Sequence, residues 1–159
     1  MEQNPKEVVI RKEDAVFWMD NRGRWHNEHG PFQNKKVIDY FHTCIRKDEN
    51  GFYLSQVRDD IIEKVYCPYE ETALFVFAVR RDAKRVVLVL NTGEEIVLKP
   101  TGLVVRDDVL ALMYNDTLIK FTDRTMMKIA DLIEEQDGSY FFRWDDRLWP
   151  VRKLDVYPG

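Results

Sequence analysis

The residues equipped for chemistry crowd into one stretch, NRGRWHNEHGPFQNKK at residues 21–36, which holds His26, His29, Trp25, Arg22, Arg24, Lys35 and Lys36. Those types would serve a metal site, a nucleic-acid patch, or an imidazole working with a carboxylate such as Glu28. Zinc needs three or four ligands converging at about 2 Å. Residues 24–26 are a short strand leading into a Gly-Pro turn, so the rings of His26 and His29 have no reason to point the same way. His42 falls near the exposed side of the following helix, and no metal site is expected. Residues 21–47 carry six Lys and Arg against Glu28 and Asp39, but the whole chain has net charge −4. Nucleic acid is therefore not an expected partner, because a binding face needs many more phosphate contacts than this patch offers.

Cys44 lies on the apolar side of its helix, where a thiolate is disfavoured. Cys67 precedes Pro68 at a strand end, open to solvent but with no base supplied for it. The chain contains no Gly-x-Ser-x-Gly elbow, phosphate-binding Gly-Lys loop or dinucleotide-type glycine cluster, so no catalytic residue and no cofactor is assigned. The pairs Asp59-Asp60, Glu70-Glu71, Glu94-Glu95, Asp107-Asp108 and Asp145-Asp146 all fall at turns or strand ends, where Asp supports the backbone.

The elements that must position these groups follow from apolar spacing. VFWM and RWH flank DNRG, a hairpin whose Gly23 takes positive φ. KKVIDYFHTCIRK then reads as a helix, with Val37, Phe41, Cys44 and Ile45 on one face, Asn34 as its cap and Gly51 closing it. From Phe52 to Pro100 the runs FYLSQV, IIEKVYC, TALFVFAV, RVVLVL and EIVLK predict an antiparallel meander. VLALMYNDTLIKF is a hairpin turning at Asn115 and Asp116. RTMMKIADLIEEQ is a second helix with Met126, Ile129, Ala130 and Ile133 on one face, and SYFFRWDDRLWPV is a last hairpin turning at Asp145 and Asp146.

The two helical regions match each other: Phe32 with Phe121, Asn34 with Asp123, Lys35 with Arg124, Val37 with Met126, and Cys44 with Ile133. Each helix starts with cations where exposed N–H groups and the helix dipole favour negative charge. An anion or carboxylate docked at each start would explain them, and solvated side chains or structural ion pairs are the plainer account. Trp25, Lys35, Lys36, Arg124 and Trp144 are accordingly the candidate ligand-binding residues. The hairpin aromatics, Trp25 and Trp144 among them, would either line a groove or pack across strands as core.

The expected architecture is α+β, with two small domains or units, each a β-hairpin plus one helix plus β, around a mainly antiparallel meander. Residues 1–13 are a flexible N-terminal arm, 14–66 the N-terminal unit and 67–159 the C-terminal unit. With 45% hydrophobic and 13% aromatic residues among 159, the chain can bury a core without staples. Two cysteines and no signal-like or membrane-spanning run point to the cytoplasm.

The segments GRWHNEHGPF, KKVIDYFHTCIRKDENGFYL, TALFVFAV, VLNTGEEIVL and LVVRDDVLALM, in that order, resemble the proteobacterial domain-of-unknown-function family 1285 (DUF1285). The resemblance implies an α+β protein with two small domains and repeated structural motifs, and a role in signal transduction or ligand sensing, with no catalytic residues to carry over. YEETALFVF and FFRWDDRLWPV depart from the family pattern, so the resemblance is thinnest in the last third. The expected function is a non-enzymatic cytoplasmic module binding a small ligand or protein partner in a regulatory role, with no membrane association. A hydrolase-like enzyme using His26 and Glu28, and an assembly module forming a homodimer through a strand edge, are the alternatives.

Overall fold

A computed structural model describes residues 6–158, and the chain divides into two compact units that meet at Ala73 and Leu74, further along than the expected boundary after residue 66. Among the described residues strands predominate, and two short α-helices complete an α+β fold. No helix among the described residues is long and apolar enough to cross a membrane.

In the first unit β1 (Lys6–Ile10) precedes β2 (Phe17–Met19), β3 (Trp25–Asn27) and β4 (Gly30–Pro31), which form a small three-stranded sheet. Helix α1 (Lys35–Thr43) follows, then β5 (Ile45–Asp48), β6 (Gly51–Arg58) and β7 (Ile61–Tyr66). The second sheet runs β1-β7-β6-β5, with β1 parallel to β7. Composition places residues 1–13 in a flexible arm. Residues 1–5 lie outside the described residues, but Lys6–Ile10 form a strand, because their backbone completes the ladder along β7 from Ile61 to Val65. Gly30 and Pro31 likewise pair with Asn27 and His26 as a third strand, where a turn is expected.

The second unit starts with β8 (Phe75–Arg81), β9 (Val86–Leu90) and β10 (Glu95–Val97). It continues through β11 (Leu103–Arg106), β12 (Val109–Tyr114), β13 (Thr117–Phe121) and α2 (Asp123–Ile129). β14 (Ile133–Gln136), β15 (Ser139–Trp144), β16 (Arg147–Pro150) and β17 (Arg152–Lys153) close the chain. One sheet runs β10-β9-β8-β13-β12-β11-β17, and a separate one β14-β15-β16. The expected single meander from Phe52 to Pro100 is thus divided, with β6 and β7 in one unit and β8 to β10 in the other. Leu88, Leu103, Leu112, Ile119, Ile129 and Phe142 are all but fully buried in one core that joins both sheets and α2.

Both helices end earlier than their apolar spacing predicts, and for the same reason. α1 stops at Thr43 and α2 at Ile129, after which Ile45 and Ile133 begin strands opposite Leu54 and Phe142. An isoleucine every three or four residues satisfies a helix, but here the ladder to the next strand captures it. Gly51 therefore opens β6 at φ 115° instead of closing a helix. On α1 it is His42 that is buried, while Val37 is 40% exposed.

A helix followed by three antiparallel strands occurs in both units: α1 with β5, β6 and β7, and α2 with β14, β15 and β16. The equivalent positions are Asn34 with Thr122, Lys36 with Arg124, Ile45 with Ile133 and Leu54 with Phe142. Thr122, not Asp123, caps the second helix: its hydroxyl accepts from the Thr125 N–H, and Thr125 Oγ1 accepts from the Thr122 N–H. The match is therefore one residue out of step with the one read from the sequence, and Arg124 echoes Lys36.

Candidate functional site

The hairpin from β11 to β12 turns through Asp107 and Asp108, both left-handed at φ 48° and 63°. Asp reaches that conformation at lower cost than most residues, and a two-residue turn of this hand suits the strand twist. The turn directs the Asp108 carboxylate toward β15, where the Tyr140 hydroxyl donates to Oδ1 at 2.8 Å. Tyr140 is paired across the ladder with Glu135 of β14, so two carboxylates flank one phenol.

Between the two sheets of this unit lies a slot of about 330 Å³. Val105 and Leu110 wall it from the large sheet, Met126 and Ala130 from the helix and the turn after it, and Ile133 from β14. Asp108, Glu135 and Tyr140 provide its polar lining. The hydrogen bond to Asp108, burial, and the negative charges of Asp108 and Glu135 all raise the Tyr140 pKa above the ordinary phenol value. The hydroxyl therefore stays protonated at neutral pH, in a field of negative sign.

The five residues selected from the sequence have other placements. Trp25 is 1% exposed and packs edge-on against Phe17 and Phe41, so it is core and not a ligand contact. Lys35 pairs with Asp39 one turn on, at 2.5 Å. Lys36 is exposed, but its backbone N–H and that of Val37 already donate to Asn34 Oδ1, so the amides expected to receive an anion at α1 have a capping acceptor. Arg124 is exposed at the equivalent point of α2, a helix of only seven residues. Trp144 is half-buried beside Phe142 and lines a cavity of about 420 Å³ with Arg81, Asp82, Ala83 and Asp145. Arg81 is committed there, forming a two-pronged pair with Asp131 at 2.8 and 3.0 Å. A further cavity in the first unit, of about 240 Å³, has Phe52 and Tyr69 in its wall, with the Lys12 ammonium 4.9 Å from the Tyr69 ring centre.

The histidines have separate partners. His26 Nε2 lies 2.7 Å from Asp20 Oδ2, with its ring stacked on Trp18 at 4.3 Å. Glu28, the expected partner of His26, lies 3.4 Å from His29 instead. His42 is buried, contrary to the exposed placement expected, and Nδ1 accepts the indole N–H of Trp25 at 3.3 Å. Among the described residues, no group of three or more His, Cys, Asp or Glu side chains is placed to hold a metal ion. Cys67 is 1% exposed rather than open, and burial pushes its thiol up to about 11.

No protein-family model matches the chain, and no curated protein does. Solved structures do. A DUF1285 family protein from Silicibacter pomeroyi DSS-3 superposes with a TM-score of 0.61 over 94% of this chain and 84% of its own, at 16% identity. The chain has the fold of DUF1285 family proteins. A second such protein, from Shewanella baltica OS155, gives a TM-score of 0.52 over 73% of this chain and 91% of its own, at 12% identity. The fold agreement accords with the resemblance carried by the sequence segments.

The slot residues Asp108, Glu135 and Tyr140 were not legible as a site. Asp108 belongs to a pair whose turn-forming role is clear, and that role is real; lining the slot is additional to it. Glu135 and Tyr140 come together only because β14 is a strand rather than the end of a helix.

Proposed function

We propose that this chain is a non-enzymatic binding module of the cytoplasm, and that its second unit takes a small ligand in the slot beneath α2, serving a regulatory role. One observation carries the reading: apolar walls from two sheets and a helix line an open groove of about 330 Å³, with polar groups among the lining. That volume is at the small end of the range for small-molecule sites. The helix that roofs the slot is a single short element, so an occupant contacting Met126 and Ala130 would bias its position, which suits a sensor.

A hydrolase built on His26 has less support. Its Nε2 is engaged by Asp20 and its ring is covered on one face by Trp18. Glu28, the carboxylate that reading calls for, lies against His29, and His26 lines none of the three cavities described above.

Thermal denaturation of the full chain against a small-molecule collection tests the reading, since a ligand of the folded state raises the melting temperature. Hits should lose their effect in Ala130→Phe, which fills the slot. Hits that stabilise the variant as well as the native chain would place the site elsewhere.

A further inference from the structure

We infer that the slot selects an organic cation, a small molecule with a protonated amine at one end and an apolar body at the other. The inference rests on the slot being a ligand site. It adds the ligand's charge.

The apolar walls supply no charge discrimination, so the polar lining decides it. Asp108 and Glu135 are both carboxylates, and no cationic side chain lines the slot among the described residues. Asp108 Oδ1 is occupied by the Tyr140 hydroxyl, and no cation among the described residues forms an ion pair with Asp108 or Glu135. Two other acids of the unit have cation partners: Asp131 pairs with Arg81, and Glu134, the neighbour of Glu135 on the opposite face of β14, with Arg143 at 2.5 Å. The two slot carboxylates thus stand apart. Tyr140 links the two, hydrogen-bonded to Asp108 and paired across the ladder with Glu135.

An ammonium at this end would meet two carboxylates and the phenolic oxygen, while its body displaces water from Val105, Leu110 and Met126. An anion of the same shape would face two like charges. A neutral head would gain neither. Because the carboxylates are solvent-exposed, each contributes a modest preference, about two- to fivefold in affinity. Together they favour the amine over its neutral analogue by about tenfold. A volume of about 330 Å³ admits a small molecule and not a folded peptide element.

Three probes with one six-carbon body, hexylamine, hexanol and hexanoate, isolate the charge. Each is titrated calorimetrically into the full chain, into Ala130→Phe, and into the double variant Asp108→Asn with Glu135→Gln. Asn keeps the left-handed turn conformation at position 108, so the fold is preserved; circular dichroism checks it. Hexylamine should bind tightest and hexanoate weakest, with the amine preference gone in the double variant and all binding gone in Ala130→Phe. Equal affinities for the three probes, or a preference for hexanoate, would overturn the cation while leaving the slot as a ligand site. Hexylamine binding that survives Ala130→Phe, or none of the three binding to the native chain, would remove both.

Discussion

The indole N–H of Trp25 donates to Nδ1 of His42 across 3.3 Å, with both side chains buried in the first unit. That bond requires a neutral imidazole carrying its proton on Nε2. Burial, opposed weakly by the charge of Asp39, lowers the His42 pKa from 6.5 to about 4. In the unfolded chain the ring protonates near 6.5, so the unfolded state gains protons first as pH falls. His42 therefore contributes full stability above about pH 6.5, and the contribution declines as pH falls through 6.5 toward 4, by about 3 kcal/mol in all. Urea denaturation at pH 7.5, 5.5 and 4.5 should show that decline, and it should be absent in His42→Gln.

Asp20 defines a second, lower window. Burial works against its ionisation, but the backbone N–H of Arg24, the His26 ring, the backbone N–H of Arg22 and the Arg24 guanidinium outweigh it and hold its pKa at about 2. A depressed carboxylate stabilises above its unfolded pKa of 3.8 and loses that contribution as pH falls toward 2. Asp20→Ala should cost about 2–3 kcal/mol at neutral pH, because it orphans several donors at once. Backbone amide spectra of residues 20–24 should lose their dispersion, while the second unit keeps its own.

Gly102 is a steric requirement. A Cβ there would stand 2.6 Å from the Met113 carbonyl oxygen and 2.9 Å from Leu112 Cδ1. The carbonyl belongs to a paired strand and cannot step aside. Gly102→Ala should destabilise by about 1–3 kcal/mol, seen as a lower urea midpoint.

Asn115 and Asp116 turn β12 into β13 with φ 48° and 61°. Asp116→Gly should be tolerated, since glycine reaches this region freely. Asp116→Val should cost about 1–2 kcal/mol, the penalty for a residue with a branched Cβ in a left-handed conformation. Chemical denaturation of the two variants side by side checks the contrast.

The turns were the most legible feature of the sequence. Asn115-Asp116 and Asp145-Asp146 form two-residue turns where their residue types predict them, and Gly23 takes φ 79°. Local chemistry suffices there, because a positive φ selects the same few residues wherever it occurs. The strands from Phe52 onward follow their β-branched and aromatic runs for a similar reason. Helix ends are not legible at two equivalent places, since Ile45 and Ile133 fit a helical stripe as well as a strand and only the partner strand decides between them.

Side-chain partners lay further from reach. Asp20 and His26 are six positions apart, yet the alternation of β2 and β3 brings them together and leaves Glu28 with His29. Trp25 takes the core placement that its hairpin allows, and α1 supplies the covering partners Phe41 and His42. The sequence by itself determined the α+β composition, the turns, the cap at Asn34 and the recurrence of a helix before an antiparallel hairpin, all of which depend on neighbours in the chain. Only the tertiary structure decided which strands pair, where each helix stops and how Asp108, Glu135 and Tyr140 come to share a slot. Those outcomes depend on contacts between segments distant in sequence, and a periodic pattern of apolar residues specifies that a face is buried but not what buries it.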